Sequence, residues 1–306
     1  MEMHASDSFS TAFEFASGAT GERFQNPLWQ VTELFVGGQF RQSIAKVKAF
    51  GTRIVSNAVS QRNIKTPSPP VKDVSDAVAS TSGSLINSLL DTINDERVVA
   101  DAALNYLSAG RDTTAQALTW VFYLLMRHPS VTEAIRKEIQ SLGTTTSSPM
   151  IFHPTTLPYA MAVFYETLRL YPPVPFELKQ CSQETTLPDG TYLPKTAVLV
   201  WCTWAMNRSH QTWGEDAEAF VPERWLDNEG LLVQKTAFEF PVFNGGPRTC
   251  LGKKMAEVVA VQIIATLVDQ FDFVPVDQRE RISKNSLTLP MEGGLPCFIR
   301  PRSISK

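Results

Sequence analysis

A segment at residues 243–252 (FNGGPRTCLG) contains the residue types that could hold a flat, metal-centred ligand. Glycines and a proline precede Cys250, and the apolar residues after it predict a helix that begins at the cysteine. A thiolate at the start of a helix is stabilised by the positive end of the helix dipole and by backbone N–H groups. The glycines let the backbone approach a flat ligand closely, and Arg248, close to the sulfur in sequence, can reach a carboxylate. The segment therefore meets the requirements of a thiolate ligand to haem iron.

This segment resembles FxxGxRxCxG, the haem-binding loop of the cytochrome P-450 monooxygenases. The residues at its fixed positions are Phe243, Gly246, Arg248, Cys250 and Gly252. The resemblance implies that all of them bind haem b, that Cys250 is the axial ligand to the iron and that Arg248 binds a haem propionate. The usual role of a lone cysteine is that of a small buried apolar residue, and Cys181, Cys202 and Cys297 retain that interpretation.

A second motif lies in the long helix predicted over residues 95–127. Its segment 109–114 (AGRDTT) is similar to the oxygen-activating turn of the same family. A glycine within a helix costs about 1 kcal/mol relative to alanine, and Gly110 could open a groove there for dioxygen and water. The resemblance implies that Asp112 and Thr113 relay protons during catalysis. Without the resemblance, an exposed polar face of an amphipathic helix is the simpler interpretation.

A third group of residues matches the structural motifs of the family. Glu166 and Arg169 form an ExxR pair, which places both charges on one face of a helix, although a solvated pair is the default interpretation of such a spacing. The run that follows, 170–175 (LYPPVP), looks like the corresponding run of the family. Residues 222–225 (PERW) resemble the PERF motif with tryptophan in place of phenylalanine, which keeps an aromatic side chain at that position. The resemblance implies that Arg224 joins the Glu166–Arg169 pair and that the three residues lock the segment behind the haem.

The hydrophobic pattern predicts a mainly α fold with small β-sheets. Residues 22–60 are predicted to form helical segments broken at Gly37 and Gly38, the second of them an exposed helix over 41–61. Further helices are predicted at 95–127, 130–142 and 160–171, and from Cys250 to about residue 271. Surface loops rich in Ser, Thr and Pro are predicted at 62–84 and 144–149.

The predicted β structure is sparse. Short strands are predicted at 191–193 and 197–200, and a C-terminal hairpin is predicted to pair 286–290 with 295–300 around the tip at 291–294. These strands are too few and too scattered for a parallel α/β fold.

The composition is that of a folded protein, with 43% hydrophobic and 19% charged residues in a chain of 306. Its net charge of −3 gives no general attraction to nucleic acid or to an anionic membrane. Cysteines without a CxxC pair and histidines without HExxH argue against zinc and His-based metal sites, and they favour a reducing, intracellular compartment. The sequence shows no signal peptide, and no apolar run approaches the roughly 20 residues of a transmembrane helix.

The resemblance covers nearly the whole chain and implies a cytochrome P-450 fold in a single truncated domain, 1–306. Residues 1–84 are expected to form pocket-roof helices and a loop, and residues 85–306 the haem-binding core. The family's N-terminal membrane anchor, early helices and WxxxR helix are expected to be missing, because none of the six tryptophans is followed by arginine at that spacing. Intact members of the family are expected at the surface of the endoplasmic reticulum membrane.

The implied reaction inserts one oxygen atom of O2 into a C–H bond and releases the other as water. Electrons would come from NADPH through a cytochrome reductase, because the chain has no nucleotide-binding fingerprint. The motifs look most like those of fungal hydroxylases of alkanes and fatty acids, and fungal secondary-metabolite oxidases share them. Apolar or small residues at 104–109, 174–176 and Met291 would line the pocket, which suits a small apolar substrate. Two alternatives stay open: a truncated non-catalytic fragment, and a haem-binding protein without turnover.

Overall fold

A computed structural model of the protein describes residues 8–63, 85–143, 152–284 and 286–302. The chain divides into two compact units, of which the first is Met1–Arg111 with Asn285–Leu287 and the second Asp112–Lys284 with Thr288–Lys306. The architecture is mainly helical with small sheets, as the sequence predicts. The single-domain interpretation of 1–306, with its division at residue 84, stays a prediction.

The first unit is helical. It contains α1 (Ser8–Gln25), α2 (Trp29–Asn63), α3 (residues 85–92) and the first half of α4 (Glu96–Arg127). Apolar side chains of the last three helices form its core, which includes Val55, Ile86, Val99 and Ala100. The predicted loop at 62–84 begins in α2, and its residues 64–84 lie outside the described part of the chain, as does the predicted loop at 144–149.

Helix α2 runs without a break through Gly37 and Gly38, so the predicted interruption there is wrong. The prediction rests on the cost of helical glycine, about 1 kcal/mol for each residue. The space around Gly37 is occupied, because Glu33 Cγ and Arg41 Nη1 lie 2.6 and 2.8 Å from where a Cβ would stand. Glu33 also pairs with Arg23 of α1 at 2.7 Å. Packing between α1 and α2 therefore offsets the low helix propensity.

In the second unit, four helical segments surround one apolar core: the second half of α4, α5 (Pro129–Ser141), α6 (Pro158–Leu170) and α9 (Lys253–Gln270). Helix α5 buries one stripe, with Val131, Ile135 and Ile139 at a spacing of one turn. Helix α6 is buried over most of its length, so it forms the centre of this unit. These helices lie within a few residues of the predicted ones.

Two short helices and six short strands complete the second unit as described. The helices are α7 (Thr203–Met206) and α8 (His210–Trp213). Antiparallel pairs join β1 (Phe176–Gln180) to β4 (Val198–Cys202), β2 (Thr185–Thr186) to β3 (Tyr192–Leu193) and β5 (Phe271–Pro275) to β6 (Cys297–Pro301). The strands predicted at 191–193 and 197–200 correspond to β3 and β4.

The predicted C-terminal hairpin is wrong, because β6 pairs with β5 and residues 286–290 form no strand. The backbone of this stretch bonds to distant residues instead. Leu289 donates its N–H to the carbonyl of Pro173 at 2.9 Å, and its own carbonyl accepts the indole N–H of Trp120 at 3.0 Å. A local pattern of alternating residues does not reveal such long-range partners.

No helix within the described residues has both the length and the apolar character that a bilayer crossing requires.

The start of α6 depends on a side chain from α5. Pro158 opens the helix and the preceding Leu157 makes no side-chain cap. The carboxylate of Glu138 instead accepts the backbone N–H groups of Tyr159 and Ala160, at 2.6 and 2.9 Å. These N–H groups have no partner within the helix, and a negative charge there is also favoured by the helix dipole.

Replacing Glu138 with alanine should therefore lower the free energy of unfolding by about 1–2 kcal/mol, the usual effect of losing a helix cap. Urea denaturation followed by circular dichroism measures this change. Glu133→Ala is the matched control on the same helix, because its side chain is 52% exposed and lies 3.8 Å from Arg136. Equal losses for the two variants would contradict the capping role.

Candidate functional site

The loop before α9 holds Cys250 at the surface. Two short 3₁₀ turns, Pro241–Phe243 and Gly246–Arg248, fold the loop back on itself. The N–H of Cys250 donates to the carbonyl of Phe243 at 2.7 Å, and the carbonyl of Cys250 accepts the N–H of Lys253 at 3.3 Å. The thiol is free and exposed. It therefore stands just before the amino end of an 18-residue helix, where it is accessible to a ligand.

Three consecutive residues give this loop its shape. Asn244 and Gly246 both have positive φ, 58° and 62°, a conformation that asparagine and glycine tolerate. The side-chain amide of Asn244 donates to Glu177 Oε1 of β1 at 3.1 Å. A Cβ at Gly245 would lie 2.8 Å from the Cβ of Ala237, closer than real contacts allow. Sequence analysis assigned no separate role to Asn244 or Gly245, although an Asn-Gly pair is itself a turn signal.

The residues around the thiol fit a haem. A porphyrin brings its own four nitrogen donors, so one protein thiolate is the ligand it needs on this side. A Cβ at Gly252 would lie 3.9 Å from the sulfur, and nothing stands within 4 Å of a Cβ at Gly246. Leu251 and Met255 are 79% and 57% exposed, which gives an apolar surface beside the sulfur. Arg248 is also exposed and lies in the same loop. Within the described ranges, no cluster of three or more His, Cys, Asp or Glu side chains is placed to hold a bare metal ion.

Behind this loop, the carboxylate of Glu166 is fully buried and accepts five hydrogen bonds. The donors are Arg169 Nε and Nη2, Val221 N, Arg224 Nε and Trp225 Nε1, at 2.8, 2.8, 2.9, 3.1 and 2.9 Å. Both carboxylate oxygens are used, so the charge is paired and its desolvation compensated. The two motifs around Glu166 and Arg224, distant in sequence, meet at this one group.

The guanidinium of Arg169 is equally buried and holds together the segment 207–219, in which the short helix α8 is flanked by irregular backbone. It donates to the carbonyls of Asn207, Ala217 and Ala219, and its face lies 5.1 Å from the ring centre of Trp213. Arg224 holds the same segment, since it donates to the carbonyls of Trp213 and Asp216. These bonds satisfy backbone groups that have no partner in a helix or sheet.

Trp225 has a role that sequence analysis missed. The sequence indicates only that an aromatic side chain is retained at this position of the PERF-like motif. In the structure the indole N–H also donates to Glu166, and the ring is almost fully buried. A phenylalanine could fill the space but could not donate this bond.

An aromatic contact series connects the Glu166 cluster to the cysteine loop. The ring of Trp225 lies 4.7 Å from that of Phe240, which lies 6.3 Å from that of Phe243. Phe243 in turn accepts the Cys250 N–H through its carbonyl. The loop thus rests on buried rings whose position is fixed by the charge cluster.

Asp112 and Thr113 lie in α4 and are half-buried. The helical hydrogen-bonding pattern of α4 continues through Gly110. Of the residues expected to line a pocket, 104–109 belong to the first unit, whereas 174–176 and Met291 belong to the second. Met291 is buried against Trp120 and its neighbours. The catalytic roles of Asp112 and Thr113 stay predictions.

Glu166→Ala should lower the free energy of unfolding by about 3–5 kcal/mol, because it leaves two arginines without their buried counter-charge. Trp225→Phe removes a single donor and should cost about 1–3 kcal/mol. Denaturant titrations of the whole chain, followed by tryptophan fluorescence, compare the two. A stably folded Glu166→Ala protein with unchanged unfolding free energy would show that the cluster is dispensable.

Comparisons with known proteins identify the family of this chain. A family model described as cytochrome P-450 matches residues 20–298. The chain is 32% identical over 308 residues to cytochrome P-450 94A1 of Vicia sativa, covering 96% of this chain and 57% of that protein. It is 32% identical over 315 residues to cytochrome P-450 monooxygenase cyp1 of Mycosarcoma maydis, covering 94% of this chain and 47% of that protein. To alkane hydroxylase MAH1 of Arabidopsis thaliana it is 34% identical over 206 residues, 67% of this chain and 40% of that protein. The chain therefore spans less than three-fifths of the length of these three relatives, and it belongs to the cytochrome P-450 family.

Proposed function

We propose that this chain carries the haem-thiolate centre of a monooxygenase that inserts one oxygen atom of O2 into a C–H bond of a small apolar substrate. The observation that carries the proposal is the exposed Cys250 thiol at the amino end of α9, on a loop supported by buried rings. Bound haem would supply an iron centre that activates dioxygen, and the thiolate would favour cleavage of the O–O bond.

The loop residues bind and orient haem in this proposal. Cys250 would be the sulfur ligand to the haem iron, from its exposed position just before α9. Arg248, which is exposed in the same loop, would bind a haem propionate through a charge-assisted hydrogen bond. Phe243 holds the backbone of the cysteine, while Gly246 and Gly252 leave space for a flat ring close to the backbone.

In this proposal, two residues of α4 deliver protons. The hydroxyl of Thr113 would hold a water molecule, and Asp112 would bring protons to it from solvent. Both side chains are half-buried, which suits groups that connect solvent to a closed site. Glu166, Arg169 and Arg224 take no part in the chemistry and keep the loop in place.

An apolar, chain-like substrate such as an alkane or a fatty acid is our proposal for the substrate class. The similarity to an alkane hydroxylase supports it. A fungal secondary-metabolite intermediate is the alternative substrate, and similarity to a fungal monooxygenase is compatible with it. An NADPH-dependent cytochrome reductase is the proposed electron donor, and the endoplasmic reticulum surface is the proposed location.

The ligand assignment predicts the absorption spectrum of the reduced, carbon-monoxide-bound protein. Wild-type protein should show the thiolate-shifted Soret band, and Cys250→Ser should lose it. Cys181→Ser, Cys202→Ser and Cys297→Ser should keep the band, because these cysteines lie on or beside short strands and not in the haem loop.

Persistence of the thiolate band in Cys250→Ser would overturn the assignment. An imidazole-like band in the wild-type protein would favour a haem-binding protein without turnover. Failure of the wild-type protein to take up haem would favour a non-catalytic role.

The proton-delivery assignment predicts that Thr113→Ala uncouples NADPH consumption from product formation. Loss of a general acid–base group typically costs about 10²–10⁴-fold, so product per NADPH should fall strongly while hydrogen peroxide release rises. Haem and substrate binding should persist, because few atoms are removed. NADPH, peroxide and product are measured together in the haem-loaded protein supplied with a reductase.

Thr119→Ala is the matched control, since its hydroxyl donates back to the carbonyl of Ala115 in the same helix, at 2.8 Å. It should leave the coupling ratio unchanged. A wild-type ratio in Thr113→Ala as well would show that Thr113 is an ordinary helix residue.

A further inference from the structure

Two tyrosines on α6 each donate a hydrogen bond to a glutamate on another segment. Tyr159 Oη donates to Glu223 Oε1 at 2.8 Å, and Tyr165 Oη donates to Glu257 Oε1 at 2.6 Å. The two pairs are chemically alike, but they end at different places. Glu223 lies in the PERW segment, whereas Glu257 lies in α9, the helix that Cys250 precedes.

The Tyr165 pair reaches both ends of the cysteine loop. At the helix end, the Glu257 carboxylate lies 3.9 Å from Lys253 Nζ, and Lys253 is the first residue of α9. That same ammonium group lies 5.5 Å from the ring centre of Phe243, at the other end of the loop. Lys253 and Phe243 are also the backbone partners of the Cys250 carbonyl and N–H.

The ring of Tyr165 supports the loop by a second route. It packs at 5.7 Å from Phe240 and 5.1 Å from Trp225. Phe240 is the ring on which Phe243 rests. Burial, followed by the hydrogen bond to Glu257, raises the pKa of the Tyr165 phenol. The hydroxyl therefore stays protonated and remains a donor across the physiological range.

We propose that Tyr165 is a positioning residue for Cys250, acting through its hydrogen bond to Glu257 to hold the start of α9 and the loop before it. The role in haem ligation rests on the proposed function, in which Cys250 is the axial ligand. The contacts by which Tyr165 stabilises the loop do not depend on that ligand role.

Hydrogen–deuterium exchange of the 306-residue chain tests the link without haem. In Tyr165→Phe the ring packing is kept and only the hydroxyl is lost, so the fold should persist. A typical net hydrogen bond corresponds to about a fivefold change in the population of a local opening, so peptides covering 243–253 should exchange about fivefold faster. Tyr159→Phe loses a similar bond from the same helix and should leave exchange in these peptides at the wild-type rate.

A double-variant comparison shows whether the hydroxyl acts through Glu257. Glu257→Leu should accelerate exchange in the same peptides, and adding Tyr165→Phe to it should produce no further change, because the two residues share one interaction. In the haem-loaded protein, mild denaturant should abolish the thiolate-type absorption band of the carbon-monoxide complex at a higher rate in Tyr165→Phe than in Tyr159→Phe.

Equal exchange of peptides 243–253 in the two tyrosine variants would overturn the proposal, as would fully additive effects of Tyr165→Phe and Glu257→Leu. These outcomes differ from failure of the proposed function. If Cys250→Ser keeps its thiolate band, the ligand role fails, yet the exchange measurements still decide whether Tyr165 holds the loop.

Discussion

The second unit depends on one buried charge, the carboxylate of Glu166. Placing it in the core is favourable only because all of its hydrogen-bonding capacity is used, by donors from α6 and from residues 221–225. The segment between α7 and α9 contains little regular structure, so its backbone groups need partners from elsewhere. Arg169 and Arg224 supply them. The same ion cluster thus neutralises the buried charge and replaces the hydrogen bonds that a helix or sheet would have provided.

The position of the Cys250 loop follows from this cluster. The loop itself contains two 3₁₀ turns and two residues with positive φ. Its exposed face carries the thiol, so the loop gains little from burial of that face. What holds it is the opposite side, where Phe243 rests on Phe240 and Phe240 on Trp225. A reactive group can stay accessible on an irregular loop because its support is buried.

The sequence predicted the main helices and the residues of each motif, because both depend on local information. Helix α5 begins at a proline and buries residues one turn apart, and α6 ends just before a proline pair. The wrong predictions concern segments whose conformation depends on contacts with residues distant in sequence. Gly37 stays helical in a helix that is held to α1 by the Arg23–Glu33 pair, and residues 286–290 bond to Trp120 and Pro173 rather than to each other. The hydrogen bond from Trp225 to Glu166 could not be predicted from the sequence either, since the spacing of the two residues in the chain gives no information on whether they are in contact.

The limits of sequence reasoning are clearest for the two tyrosines of α6. In sequence, Tyr159 and Tyr165 are both aromatic residues of one apolar helix, and nothing in their spacing separates them. In the structure both donate to a glutamate, and burial raises both pKa values. They differ in their ring contacts and in where the acceptor stands, because Tyr165 packs on Trp225 and Phe240 and its acceptor Glu257 belongs to the helix that follows the cysteine loop. Local chemistry identifies the group that reacts, whereas the residues that hold it are distinguished by their partners in the fold.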